Sequence, residues 1–308
     1  MRLVADHVRV TVPATAGNLG PGFDALGLAL GVFDEVEVRA IAAAGVEIEI
    51  EGEGATTLPR DESHLMVTAI RAALDQVGAS QVGLSIRARN RIPHGKGLGS
   101  SAAAVVAGLC AVQAMIADRE AFTAADALAL ATAFEGHPDN AAPAIYGGAT
   151  VAWTDTSGVH ARPLAIAGEL ETAVLIPGGS LPTKEARAVL PVQVPHVDAA
   201  FNVGRAALLV HALAGATDDL LAATEDRLHQ NYRAGVMAAA MAMLRHLRDQ
   251  GLAAVISGAG PSVLVMGTGL AAKGFADPHP QWADGIGGEN WRCVHTSGPV
   301  AGAWSTRL

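Results

Sequence analysis

What this chain has little of narrows its chemistry first. Only two cysteines occur in 308 residues, Cys110 inside an apolar helical stretch and Cys293 near the C-terminus. A disulfide framework is not expected from such a pair, and a reducing cytosol is its natural setting. Cations are scarce as well: 21 Lys and Arg stand against 30 Asp and Glu, giving a formal charge of −9 and a pI near 5.6. That balance leaves no basic footprint for nucleic acid or anionic lipid and favours small-molecule chemistry. The N-terminus, MRLVADHVRVTV, lacks the apolar core of a signal peptide, so nothing in it directs export. The run from Gly97 to Ala117 is free of charge, yet rich in Ala, Gly and Ser and poor in Leu, Ile and Phe. It is expected to be a helix packed inside the protein, with no part in a membrane. Neither an internal repeat nor a low-complexity tail is present. Half of the residues are hydrophobic, enough for a large core in two domains.

What is there is organised around Pro93-His94-Gly95-Lys96-Gly97-Leu98-Gly99-Ser100-Ser101-Ala102-Ala103-Ala104. Three alternate glycines free the backbone to turn N–H groups onto one concave surface. Ser100 or Ser101 is expected as the N-cap of the helix that follows, whose positive end points back at the loop. Phosphate binding is the physical reading. The spacing differs from a P-loop, because Lys96 sits among the glycines, and from a dinucleotide fingerprint, because Ser100 holds the place of its third glycine.

Along the chain, Val8, Val10 and Val12 alternate in a strand expected to stop at Pro13, followed by a glycine-bearing loop to Gly27. Leu19, Phe23 and Leu26 are placed to pin that loop, leaving Asn18 and Asp24 as its polar side chains. Further strands are expected through Val36 and Val38 and through Val46, Ile48 and Ile50. Leu65, Met66, Ile70, Leu74 and Val77 mark an amphipathic helix over 63–77, and a strand over 82–88 leads into the glycine loop. Thr123 caps another helix ending at Glu135, and Val151 and Trp153 mark a strand. Turn residues at 155–168 place a boundary between a domain 1–160 and a domain 161–308. In the second, a strand over 173–176, helices over 183–189, 197–215, 217–227 and 234–250, two strands around Ser257-Gly258-Ala259-Gly260, and a last strand at 291–295 are expected.

Several side chains suit chemistry, each beside a plainer reading. Glu135, at a helix end, is either a solvated acid or, with Ser100 or Ser101, a Mg²⁺ ligand. His137 and Asp139 share one turn, which fits a structural role better than zinc. Lys96 is either a surface cation or a phosphate ligand. Arg187 and Arg233 are helix-surface cations or the fork that grips a carboxylate. Asp24 and Asn140 are turn formers or groups that orient an attacking hydroxyl.

The pattern Pro-x-x-x-Gly-Leu-Gly-Ser-Ser-Ala-Ala resembles the ATP-binding motif of the GHMP kinases, among them galactokinase, homoserine kinase, mevalonate kinase and phosphomevalonate kinase. Blocks at 13–24, 93–104, 135–140, 181–187, 229–233 and 257–262, in that order, are similar to the homoserine kinases of that group. The resemblance implies an α+β fold of two α/β sandwiches, a ribosomal-protein-S5-domain-2-like N-terminal domain with a left-handed βαβ unit and a ferredoxin-like C-terminal one. It implies ATP-dependent phosphorylation of the side-chain hydroxyl of L-homoserine in threonine biosynthesis, in the cytoplasm, by a homodimer. Position by position, it implies that Asn18, Asp24, His137, Asn140, Thr183, Arg187 and Arg233 meet homoserine. Pro93 to Ala103 would wrap ATP, Ser100 and Glu135 would hold Mg²⁺, and Asp24, Asn140, Lys96 and Arg187 would carry the transfer. His64 stands where the family commonly has Asn, at the place of the base contacts. The alternatives are a GHMP kinase for another small alcohol, such as mevalonate or shikimate, and a nucleotide-binding sensor without turnover.

Overall fold

The computed structural model describes residues 1–308. In chain order the elements are β1 (His7–Gly17), β2 (Leu26–Ile41), β3 (Val46–Gly52), α1 (Leu65–Gln76), β4 (Gly83–Asn90), α2 (Ser100–Met115), α3 (Ala124–Glu135), α4 (Ala141–Tyr146), β5 (Ala149–Asp155) and β6 (Gly158–Leu164). There follow β7 (Glu171–Ile176), α5 (Thr183–Ala188), α6 (His196–Leu213), α7 (Leu220–Ala223), α8 (Ala238–Asp249), β8 (Ala253–Ile256), β9 (Val263–Gly267), β10 (Arg292–Ser297) and β11 (Trp304–Arg307).

Two sheets result. The larger runs β11-β1-β2-β4-β3, with β5 on β2 and β6 on β5; the smaller runs β10-β7-β9-β8 and is antiparallel throughout. In the larger sheet only β3 and β4 pair in parallel, and α1 is the helix that carries the chain between them. The arrangement is the expected α+β fold with two sheets and helices packed on them. The expected division at 160/161 falls inside β6, which pairs with β5, so the change of sheet comes after Leu164. The strand at 292–297 completes the small sheet as expected but is not the last. β11 returns to the large sheet beside β1, because its alternating residues find the open edge there.

Pro13 does not end its strand. β1 continues to Gly17 through a register shift at Pro13/Ala14, where a residue without an N–H costs no ladder bond. The extension carries Thr15 and Gly17 to the site. α2 is buried along most of its length, and no helix is long and apolar enough to cross a membrane. Its N-cap is Gly99 in the left-handed region, so Ser100 and Ser101 lie in the first turn and neither is the cap. A serine is displaced from the cap because the chain enters at φ +67, which glycine alone adopts without strain.

Asp34 ties β2 to the approach of the glycine loop: its Oδ1 accepts from the N–H of Arg91 at 2.6 Å and of Ile92 at 2.9 Å. Burial raises its carboxyl to about 6 despite those two donors. A raised carboxyl favours the folded state while protonated, so this contribution is whole below the ordinary 3.8 and lost as pH rises through 6. Urea unfolding between pH 4 and 7 should show a loss on the order of 2–3 kcal/mol that Asp34→Asn abolishes.

Candidate active site

Three glycine-bearing backbone segments meet: 17–20, 95–99 and 257–260. A Cβ on Gly97 would lie 2.1 Å from the Ser257 carbonyl, and one on Gly99 would lie 2.0 Å from Thr15 Oγ1. Hydrogen bonds close the junction, from Thr15 N–H to the Leu98 carbonyl at 3.0 Å, Gly258 N–H to the Gly17 carbonyl at 3.1 Å and Ser257 Oγ to the Gly97 carbonyl at 2.8 Å. With their carbonyls spent inward, the loop presents its remaining N–H groups and the α2 N-terminus outward.

A cavity of about 260 Å³ opens on that surface. Gly95, Gly97, Leu98, Gly99, Ser100 and Ser101 form one wall; Asn18, His137, Asn140, Thr183, Arg187 and Arg233 form the other, with Glu135 and Asp139. Most of the residues expected from the sequence line this cavity, whereas Asp24, Pro93, His94, Lys96, Ala102 and Ala103 do not. A second cavity of about 290 Å³ shares Ser100 and Ser101 and continues past the helix start between apolar side chains such as Val12, Leu58 and Met66. His64, His94 and Asp34 supply its polar atoms. His64 caps α1, its Nδ1 accepting from Met66 N–H at 3.2 Å, and burial holds its imidazole below the usual value.

The acceptor wall is a network centred on Asp139, 1 % exposed. Its Oδ1 pairs with His137 Nδ1 at 2.6 Å and accepts from Asn140 Nδ2 at 3.2 Å, while Oδ2 accepts from the Asn18 N–H at 3.1 Å. The Asn18 side chain is itself consumed, donating to the Gly258 carbonyl at 2.8 Å and accepting from the Asp24 N–H at 3.0 Å. Asn18, Leu19 and Asp24 all take positive φ, a strained path held by these bonds. Asp24 receives both terminal nitrogens of Arg187 in a two-pronged ion pair, one arm at 3.2 Å. Carboxylate and imidazole atoms of Asp24, His137 and Asp139 lie within 4.8 Å of one another.

Arg233 is fully buried. Its Nε donates to the Ala186 carbonyl at 3.1 Å, and Nη1 reaches the Gly258 carbonyl at 3.2 Å and His229 Nδ1 at 3.1 Å. His229 Nε2 donates to the Gly20 carbonyl at 2.8 Å, which fixes the tautomer and leaves Nδ1 as the acceptor. Burial, then the nearby Arg187, lower the Arg233 guanidinium to about 10. Arg233 Nη2 and Arg187 Nε are buried without a partner. Arg187 and Arg233 both line the cavity, and two guanidinium groups on one wall suit an anion.

Some expected ligands sit elsewhere. Lys96 turns away from the cavity and donates to the carbonyls of Pro177, Gly178 and Gly179, so the expected phosphate contact is corrected: its three donors are occupied. Pro93 joins Lys96 in lining an open groove on that outer side, and Ala102 is buried in α2. Ser101, more than Ser100, faces Glu135, donating its Oγ to Oε1. Asn18 shapes its loop with the side-chain atoms expected to meet a ligand. Asp139, which the sequence pairs with His137 in a structural turn, is the hub of this network, and Thr15 and His229, not singled out by residue type, also bond into it or beside it.

Burial pushes the His137 imidazole down, but the hydrogen bond and charge of Asp139 outweigh it and hold the group above 6.5. The pair therefore contributes stability below that value and loses it as pH rises through the raised one. Titration of His137 by NMR should place its midpoint above that of a free histidine, and Asp139→Asn should bring it below.

Comparison with known proteins identifies the family. Residues 64–148 match the family model described as GHMP kinases N terminal domain. The homoserine kinase of Streptomyces coelicolor is 52 % identical over 263 residues, 85 % of each chain, and that of Streptomyces avermitilis 49 % identical over 300 residues, 97 % of this chain and 95 % of the other. The crystal structure of homoserine kinase from Cytophaga hutchinsonii superposes with a TM-score of 0.84 over 99 % of both chains at 27 % identity. Mevalonate diphosphate decarboxylase from Staphylococcus aureus, 14 % identical with a TM-score of 0.70 over 98 % of both chains, shares the fold. With the glycine loop, the acid cluster and the two arginines converging on one cavity, the chain belongs to the homoserine kinase family of GHMP kinases.

Proposed function

We propose that this protein transfers the γ-phosphoryl group of ATP to the side-chain hydroxyl of L-homoserine, yielding O-phospho-L-homoserine and ADP in threonine biosynthesis. One observation carries the choice of acceptor: Arg187 and Arg233 line the cavity opposite the glycine loop, beside the Asp24, His137 and Asp139 cluster. An α-carboxylate meets Arg187 and Arg233, and an α-ammonium meets the acids. Mevalonate and shikimate offer a carboxylate but leave the acid cluster without a cation.

The nucleotide base takes the apolar cavity, and the triphosphate crosses the α2 N-terminus along the glycine-loop N–H groups. Hydroxyl oxygens of Ser100 and Ser101 and the Glu135 carboxylate form a hard-oxygen set that fits Mg²⁺. When bound there, Mg²⁺ supplies charge neutralisation for the phosphate oxygens. The acceptor hydroxyl attacks the γ-phosphorus in line, the bond from that phosphorus to the β-phosphate bridging oxygen breaks to release ADP, and the hydroxyl proton passes late to the transferred phosphoryl group or to solvent. Asp24 holds and orients the acceptor with both carboxylate oxygens engaged by Arg187, and Asn140 completes that wall. A loose transition state asks for no strong base early, so positioning does most of the work.

The same reading places the enzyme in the cytoplasm as a homodimer. Val203 and Val210, 71 % and 36 % exposed on one face of α6, support an uncharged face that a second copy covers.

ADP release measured with homoserine, mevalonate and shikimate should respond to homoserine alone; a homoserine-independent rate throughout would end the assignment. Arg233→Met should raise the homoserine KM on the order of 100-fold. Asp24→Asn should raise that KM while leaving a measurable kcat, whereas a kcat lost altogether at saturating homoserine would restore an essential base.

A further inference from the structure

Lys96 remains unused by the reaction. It sits within the glycine loop, between Gly95 at φ +65 and Gly97 at φ +73, yet its ammonium leaves the loop. It donates to three consecutive carbonyls, Pro177 at 2.9 Å and those of Gly178 and Gly179. Three carbonyls converging on one point repel one another unless a cation stands among them. The ammonium is that cation, and its side chain is only partly exposed.

The turn it gathers leads directly into α5, which brings Thr183 and Arg187 to the acceptor wall. The Leu181 N–H donates to the Gly95 carbonyl at 3.0 Å, and Glu289 braces the turn from outside by accepting from the Gly178 N–H at 3.0 Å. The glycine loop, by contrast, is anchored without the Lys96 side chain. Ser262 N–H reaches the Lys96 carbonyl at 3.2 Å, beside the Thr15 and Ser257 bonds to Leu98 and Gly97.

We propose that Lys96 is a positioning residue for phosphoryl transfer: a built-in cation that caps the 177–179 turn and so fixes the acceptor helix α5 against the phosphate loop. The inference rests on the reading of α5 as part of the acceptor site. It assigns Lys96 to the acceptor half of the reaction although its place in the chain lies in the nucleotide half.

The test compares Lys96→Ala and Lys96→Arg with the unaltered enzyme, reading ADP affinity by calorimetry and homoserine kinetics separately. In Lys96→Ala the homoserine KM should rise about tenfold or more while ADP affinity stays within about threefold. Methylammonium, which can enter the vacated carbonyl cage, should restore part of the lost kcat/KM in Lys96→Ala and do nothing for the unaltered enzyme. Lys96→Arg, which keeps donors for those carbonyls, should lie between the two and decides the question even if the alanine variant fails to fold. A loss of ADP affinity in either variant as large as the loss in homoserine KM would overturn the proposal and return Lys96 to the phosphates. So would unchanged homoserine kinetics. Because the ADP arm needs no acceptor, a failed acceptor assignment shows as an inactive unaltered enzyme, and a failed role for Lys96 as a shifted ADP affinity.

Discussion

Everything in the site depends on three turns touching backbone to backbone. A methyl group at Gly97 would overlap the Ser257 carbonyl and the Gly260 backbone, which no side-chain shift relieves, and one at Gly99 would displace the Thr15 hydroxyl. The contact joins β1, the entrance of α2 and the β8–β9 turn, so elements from both sheets converge on it. Once the loop carbonyls are bonded inward, its amides have only the cavity to face, and an anion becomes the natural occupant.

Charge is arranged around that junction with economy, in a chain with a surplus of acids. Burial, and then the nearby Arg187, lower the Arg233 guanidinium, and one nitrogen on each arginine stays buried without a partner. Asp24 on one side and His229 with two carbonyls on the other hold the pair in place. The site is thus preorganised for a zwitterion: two guanidinium groups that suit a carboxylate sit beside a carboxylate cluster that gains a cation.

Much of this was legible in the residues. The glycine run, the strand before it and the helix after it are local features, set by turn chemistry and hydrophobic period. The alternation of β3 places Glu47, Glu49 and Glu51 outward, and Thr123 caps α3 in a box with Asp126. The misplacements share one cause, long-range pairing. Pro13 sits in a continuing strand because β2 accommodates a bulge there, and β11 joins β1 across nearly the whole chain. Lys96 is the clearest case: its neighbours in sequence are phosphate-loop glycines, and its partners in space are carbonyls some eighty residues on.

The sequence by itself determined the chemical repertoire, a phosphate-cradling glycine loop, two arginines able to grip a carboxylate and a charge balance without a basic footprint. Spacing and residue type suffice for that, because a glycine turn and a guanidinium carry their properties wherever they stand. Only the tertiary structure decided which atoms remain free. Asn18 and Lys96 spend their polar groups on the fold, while Arg187 and Arg233 each keep one buried donor, and that accounting depends on partners that folding brings from distant parts of the chain.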